Sequence, residues 1–155
     1  MGDTFAHYLQ RRGFDLRDGT PAFLRRMFID CWTEPGFHRF WRLWNPLYGY
    51  FLFRLYRGLG GSRRPVLATM VVFVFCGFVL HDLPVSLIRG RGSVACTVAF
   101  VFYGLATLVS RRLIRGAAIR WPAWSCVVVN LGLVATGLII GALAQHQVPA
   151  FRLLP

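Results

Sequence analysis

Three long apolar runs dominate the second half of the chain, and a mixture of apolar and basic residues fills the first. Residues 66–88 form the first run, interrupted only by His81, Asp82 and Pro84. Residues 92–110 form a second, without a charge, and a third lies within 121–151, with the span placed at 124–144. A helix needs ~20 residues to cross a ~30 Å hydrocarbon core. The pattern therefore predicts three transmembrane helices.

The upstream half follows a different rhythm. Residues 1–20 are polar, and Asp18 or Thr20 ahead of Pro21 marks a helix start. Residues 22–33 place apolar and basic groups at helical spacing, as an interfacial helix does. "EPG" at 34–36 breaks it. In 37–61, "FHRFWRLWNPLYGYFLFRLYRGLGG", apolar residues including Phe37, Phe40, Trp41, Trp44, Leu47, Tyr48 and Phe51 recur three and four apart. Arg39, Arg42, Arg54 and Arg57 fill much of the remainder. Such a segment is too charged to span. It is expected along the interface as a helix broken at Pro46, with "GLGG" at 58–61 as a hinge. The chain divides into a polar segment with an interfacial helix (1–36), an amphipathic or re-entrant segment (37–61) and a transmembrane region (62–155). The fold class is an all-α integral membrane protein, about three transmembrane helices preceded by amphipathic interfacial helices.

Composition agrees with that class. The 155 residues are 55% hydrophobic with a mean hydropathy of +0.49. The net charge of +12 comes from eighteen arginines and no lysine, a usage that points to a GC-rich, bacterial genome. Nucleic acid is not the expected partner, because basic loops beside apolar spans orient membrane proteins and meet anionic lipid. Eleven arginines precede the first span and four, Arg111, Arg112, Arg115 and Arg120, separate the second from the third. Only Arg89 and Arg91 lie between the first two spans, and only Arg152 follows the last. The N-terminus is therefore expected in the cytoplasm and the chain in the cell membrane. Cys31, Cys76, Cys96 and Cys126 form no metal-ligating pattern and read as buried small hydrophobes. The N-terminus has no signal-peptide core and no myristoylation signal.

Two details carry candidate chemistry. Asn45 precedes a helix-breaking proline, which places an amide beside a freed carbonyl. His81 and Asp82 sit inside the first span, where ionisable groups are expensive. Pro84 loosens the helix there, and Gly77, one turn earlier, is read as leaving open space beside the imidazole. The plainer alternatives are a histidine bonded to a nearby carbonyl and an aspartate paired with Arg89. "GLGGSRR" at 58–64 lacks the spacing of a phosphate loop, and Ser86, Ser110 and Ser125 have no His or Asp companions in sequence. His7, His38 and His146 are isolated, with His38 expected to be structural or to face headgroups.

"FWRLWNPLYGYFLFRLYRGLGG" followed by "VLATMVVFVFCGFVLHDL" resembles the signature of the membrane-bound O-acyltransferase family, most nearly its wax synthase and sterol or diacylglycerol acyltransferase branch. The resemblance covers residues 37–83. It implies His81 as the catalytic histidine, Asn45 as its polar companion, and Trp41, Trp44, Arg54, Tyr56 and Asp82 at the substrate. It further implies lipid metabolism, no bound cofactor, acyl-CoA as the acyl donor and a hydroxyl acceptor. Asp82 stands where the family usually has Glu or Gly, and the family's members carry many more spans. The chain would then be a minimal fold completed by a second copy, a subunit completed by a membrane partner protein, or a degenerate remnant. On the enzymatic reading a neutral imidazole takes the acceptor's proton near pH 7, Asn45 holds a reacting oxygen, and the basic segment meets donor phosphates.

Overall fold

The computed structural model describes residues 4–15, 17, 19–114 and 121–147. Among these the chain is helical without a strand, and three helices are long and apolar enough to cross a membrane: Pro65–Arg89, Ala95–Leu113 and Ala123–Gln147. The protein is an all-α membrane protein. Asp18, Arg115, Arg120 and Arg152, used above for a helix start and for orientation, lie outside the described residues.

The N-terminal part is a series of short helices. α1 (Phe5–Arg11) is capped by Thr4, whose side chain accepts from the His7 amide. α2 (Gly19–Arg25) runs through a π-helical segment, Arg26–Asp30, into α3 (Cys31–Thr33). The expected break follows, and Gly36 takes φ 93°, a left-handed value that suits glycine. α4 (Phe37–Leu43) and α5 (Pro46–Gly58) are separated by the Trp44–Asn45 kink. Thirteen residues of α5 rise about 20 Å, too short to cross.

The first span is built in three pieces: α6 (Pro65–Phe75), a π-helical segment (Cys76–Asp82) and α7 (Leu83–Arg89). α8 (Ala95–Leu113) and α9 (Ala123–Gln147) are the second and third. α8 starts three residues later than the apolar run implied, because Gly90 turns the chain at φ 63° and Asp82 caps the new helix. Asp82 is fully buried and accepts from the Ser93 hydroxyl (2.7 Å) and from the Cys96 (3.1 Å) and Thr97 (2.6 Å) amides. Its partner is thus the start of α8 and not Arg89.

Small residues bring the spans together. A Cβ at Gly141 would strike the Ala95 carbonyl, and one at Gly137 the Tyr103 ring. The Tyr103 hydroxyl donates to the Val134 carbonyl at 2.8 Å. Gly77 does not leave open space: a Cβ there would stand 2.8 Å from both the Cys96 carbonyl oxygen and the Thr97 Cα. The glycine permits close approach of the first span to the second.

The upstream helices are packed against the spans. Asn130, fully buried within α9, donates to the carbonyls of Trp32 (2.9 Å) and Glu34 (3.0 Å). Trp41 meets Phe73 and Phe100 edge-on or tilted at 5.5 and 5.8 Å between centroids. Phe73 lies about 12 Å along the first span from Pro65, at 1.5 Å per residue. α4 therefore packs beside the bundle and does not lie only along the interface; of the two alternatives given for 37–61, amphipathic or re-entrant, this placement suits the second. The cause is aromatic packing: Phe37, Phe40, Trp41 and Tyr103 form one cluster, with Phe37 and Phe40 buried.

Candidate functional site

A cavity of about 480 Å³ lies between α4, α5, the first span and α8. Asn45 and His81, separated by 36 residues in sequence, both line it. Each is placed by local backbone chemistry. Asn45 adopts φ 42°, the single left-handed non-glycine residue among those described, and caps α5 by accepting from the Tyr48 amide at 3.3 Å. Asparagine tolerates that conformation better than most residues, and Pro46 supplies a first helical residue that needs no amide partner. With Oδ1 engaged in the cap, the amide's two N–H donors remain for other partners.

His81 lies at the end of the π-helical segment. Its Nδ1 is 2.8 Å from the Cys76 carbonyl oxygen, five residues back. A carbonyl only accepts, so Nδ1 carries the proton and Nε2 is the lone-pair nitrogen of the neutral ring. The bond to a nearby carbonyl, the plainer alternative for this residue, thus fixes the tautomer that a base at Nε2 requires. The ring is tilted at 5.0 Å from Phe100, the ring that also meets Trp41. The backbone hydrogen bonds around His81 reach five residues back instead of four, a feature frequent where helices carry function.

Of the other expected site residues, Trp41, Trp44 and Tyr56 line the same cavity. Tyr56 donates to the Gly61 carbonyl at 2.6 Å, which ties the hinge to the cavity wall. Arg54 and Asp82 do not line it. Arg54 is exposed on α5. Asp82 is turned into the joint between the first two spans, its carboxylate occupied by three donors.

His38 was missed as a cavity residue. It lines the cavity with Arg12, Arg42 and Arg111. Its Nδ1 lies 3.0 Å from Ser110 Oγ, and the same oxygen accepts from the His38 amide at 3.5 Å. Burial and then the neighbouring Arg39, Arg111 and Arg42 lower the His38 pKa. No local sequence signal joins these residues, since 72 positions separate them.

Two further groups define the cavity's polarity. Trp41 Nε1 and Thr107 Oγ1 are buried in its lining and find no hydrogen-bond partner among the described residues. An aromatic and aliphatic wall with a few such groups is what an amphiphile with one polar region would fit. No family model, curated protein or solved structure matches the chain.

Proposed function

We propose that the protein is a membrane-embedded O-acyltransferase that moves an acyl group from a thioester, acyl-CoA in the simplest case, to a hydroxyl acceptor. The observation that carries this reading is the shared cavity of Asn45 and His81. His81 Nε2 takes the acceptor's proton as the oxygen attacks the thioester carbonyl. The C–S bond then breaks and the leaving thiolate recovers a proton from the imidazolium. An Asn45 N–H steadies the carbonyl oxygen as it gains charge. Trp41, Trp44 and Tyr56 wall the acyl and acceptor groups. Asp82 acts by holding the π-helical segment against α8, so it positions His81 without touching substrate.

The arginine distribution supports a cytoplasmic N-terminus in a bacterial cell membrane, with the basic mouth of the cavity facing a cytosolic donor. His81 is exposed on one side, so a second copy or a membrane partner would complete the wall around it. The test is acyl transfer by the purified protein in lipid. His81→Ala is expected to lower turnover by about a hundredfold or more, the usual contribution of a general base. Full activity of the variant would remove His81 as the base, and absence of transfer by the wild type with every thioester tried would leave only a non-enzymatic or degenerate subunit.

A further inference from the structure

A second cavity, about 260 Å³, opens beside the first and is of opposite character. Five arginines line it, Arg11, Arg12, Arg26, Arg39 and Arg42, with Glu34 as the one carboxylate. They come from three helical segments far apart in sequence, so the fold gathers like charges that would otherwise separate. Part of the cluster is built into the fold. Arg12 Nη1 donates to the Arg42 carbonyl at 2.8 Å, and Arg42 Nη2 to that of Arg11 at 3.4 Å. Gly13, at φ 77°, leaves room for the Arg26 guanidinium, whose Nη2 would lie 2.5 Å from a Cβ there. Arg26 Nε is buried and has no hydrogen-bond partner among the described residues. The Arg39 guanidinium makes no ion pair or hydrogen bond among the described residues.

A buried guanidinium nitrogen without an acceptor, facing four more guanidinium groups, calls for an anion that accepts several hydrogen bonds at once. A single carboxylate is too little, and Glu34 is already present. Phosphate offers the charge and the fork-matching oxygens. We infer that this cavity is a phosphate site for an amphiphile whose apolar part reaches the larger cavity. Arg12 and Arg42 line both cavities, so the two are neighbours across a shared wall. The phosphate belongs either to a lipid headgroup or to a soluble ligand's phosphate groups.

The full chain in phosphatidylcholine nanodiscs, titrated calorimetrically with pyrophosphate, tests the soluble source. Native mass spectrometry of protein extracted from membranes containing phosphatidylglycerol tests the lipid source. Arg26→Gln and Arg39→Gln are each expected to weaken pyrophosphate binding about tenfold or to lose the retained lipid, against less than about twofold for the exposed Arg63→Gln. Arg39→Gln guards against misfolding, because its guanidinium makes no ion pair or hydrogen bond among the described residues. Pyrophosphate binding that Arg26 and Arg39 govern assigns a soluble ligand; lipid retention alone assigns a headgroup. Equal loss in all three variants would show only a diffuse basic surface and overturn the site, as would binding of neither probe. The readout is binding, so it stands or falls apart from acyl transfer.

Discussion

At the residue scale, two polar side chains do work that depends on partners distant in sequence. Asp82 is the clearer. Removing its carboxylate strands a hydroxyl and two amides inside the bundle. Asp82→Ala is therefore expected to cost about 3 kcal/mol, in the range for breaking a buried charged network. Asp82→Asn, which retains an acceptor, should cost less. Thermal unfolding in detergent measures both; a large activity loss in Asp82→Ala with an unchanged midpoint would return Asp82 to the substrate. His38 makes a pH prediction. Its folded pKa is depressed below the ordinary value near 6.5 by burial and by three arginines. The unfolded chain therefore binds the proton more readily, so stability is complete above about pH 6.5 and falls as pH drops below it. The midpoint of the wild type should decline between pH 7 and 5 more steeply than that of His38→Gln. Parallel curves would show that the Ser110 contact carries no titrating charge.

At the element scale, the spans were legible because run length and charge alone decide whether a helix can cross. The break at 34–36 and the kink at Asn45–Pro46 were legible for the same local reason, since glycine frees and proline restricts the backbone wherever they stand. The loosening of the first span beside His81 was foreseen from Pro84, although its form, a π-helical segment, was not. Gly77 was misread. A glycine beside a histidine signals either open space or close helix contact, and only the second span's position chooses between them. The contact is with backbone, which cannot move aside as a side chain can. Gly77→Ala should then push the first span off α8 and destabilise the protein by about 1–3 kcal/mol, the usual cost of overpacking. Gly132→Ala, where nothing lies within 4 Å of the added Cβ, should be close to neutral or slightly stabilising. Equal midpoints for the two variants would contradict the tight joint between the π-helical segment and α8.

At the scale of the whole molecule, the decisive feature is the depth of the motif segment. His81 lies about 24 Å along the first span, so an Asn45 lying flat at the interface is out of its reach. Sequence posed that difficulty without resolving it, because the solution depends on Asn130 of the third span and on the Trp41–Phe73–Phe100 contacts. None of these pairings is local, and an asparagine in an apolar run gives no hint of which carbonyl it serves. Together they draw α4 down beside the spans and set Asn45 at the wall of the cavity that His81 also borders. The arrangement has a direct test. In a background with Cys31, Cys76, Cys96 and Cys126 replaced by alanine, Asn45→Cys and His81→Cys should be joined within one chain by a short bis-maleimide. A protease site placed at the 58–61 hinge would separate the two fragments in unlinked protein and leave them attached in linked protein. Leu87→Cys is the comparison: it lies six residues beyond His81 on the same span, is exposed, and does not line the cavity. Paired with Asn45→Cys it should give separated fragments. Linkage of Asn45 to both positions would mean that the segment moves freely past the first span. Linkage to neither, with both cysteines reactive toward a single maleimide, would place the motif at the surface and dissolve the shared site.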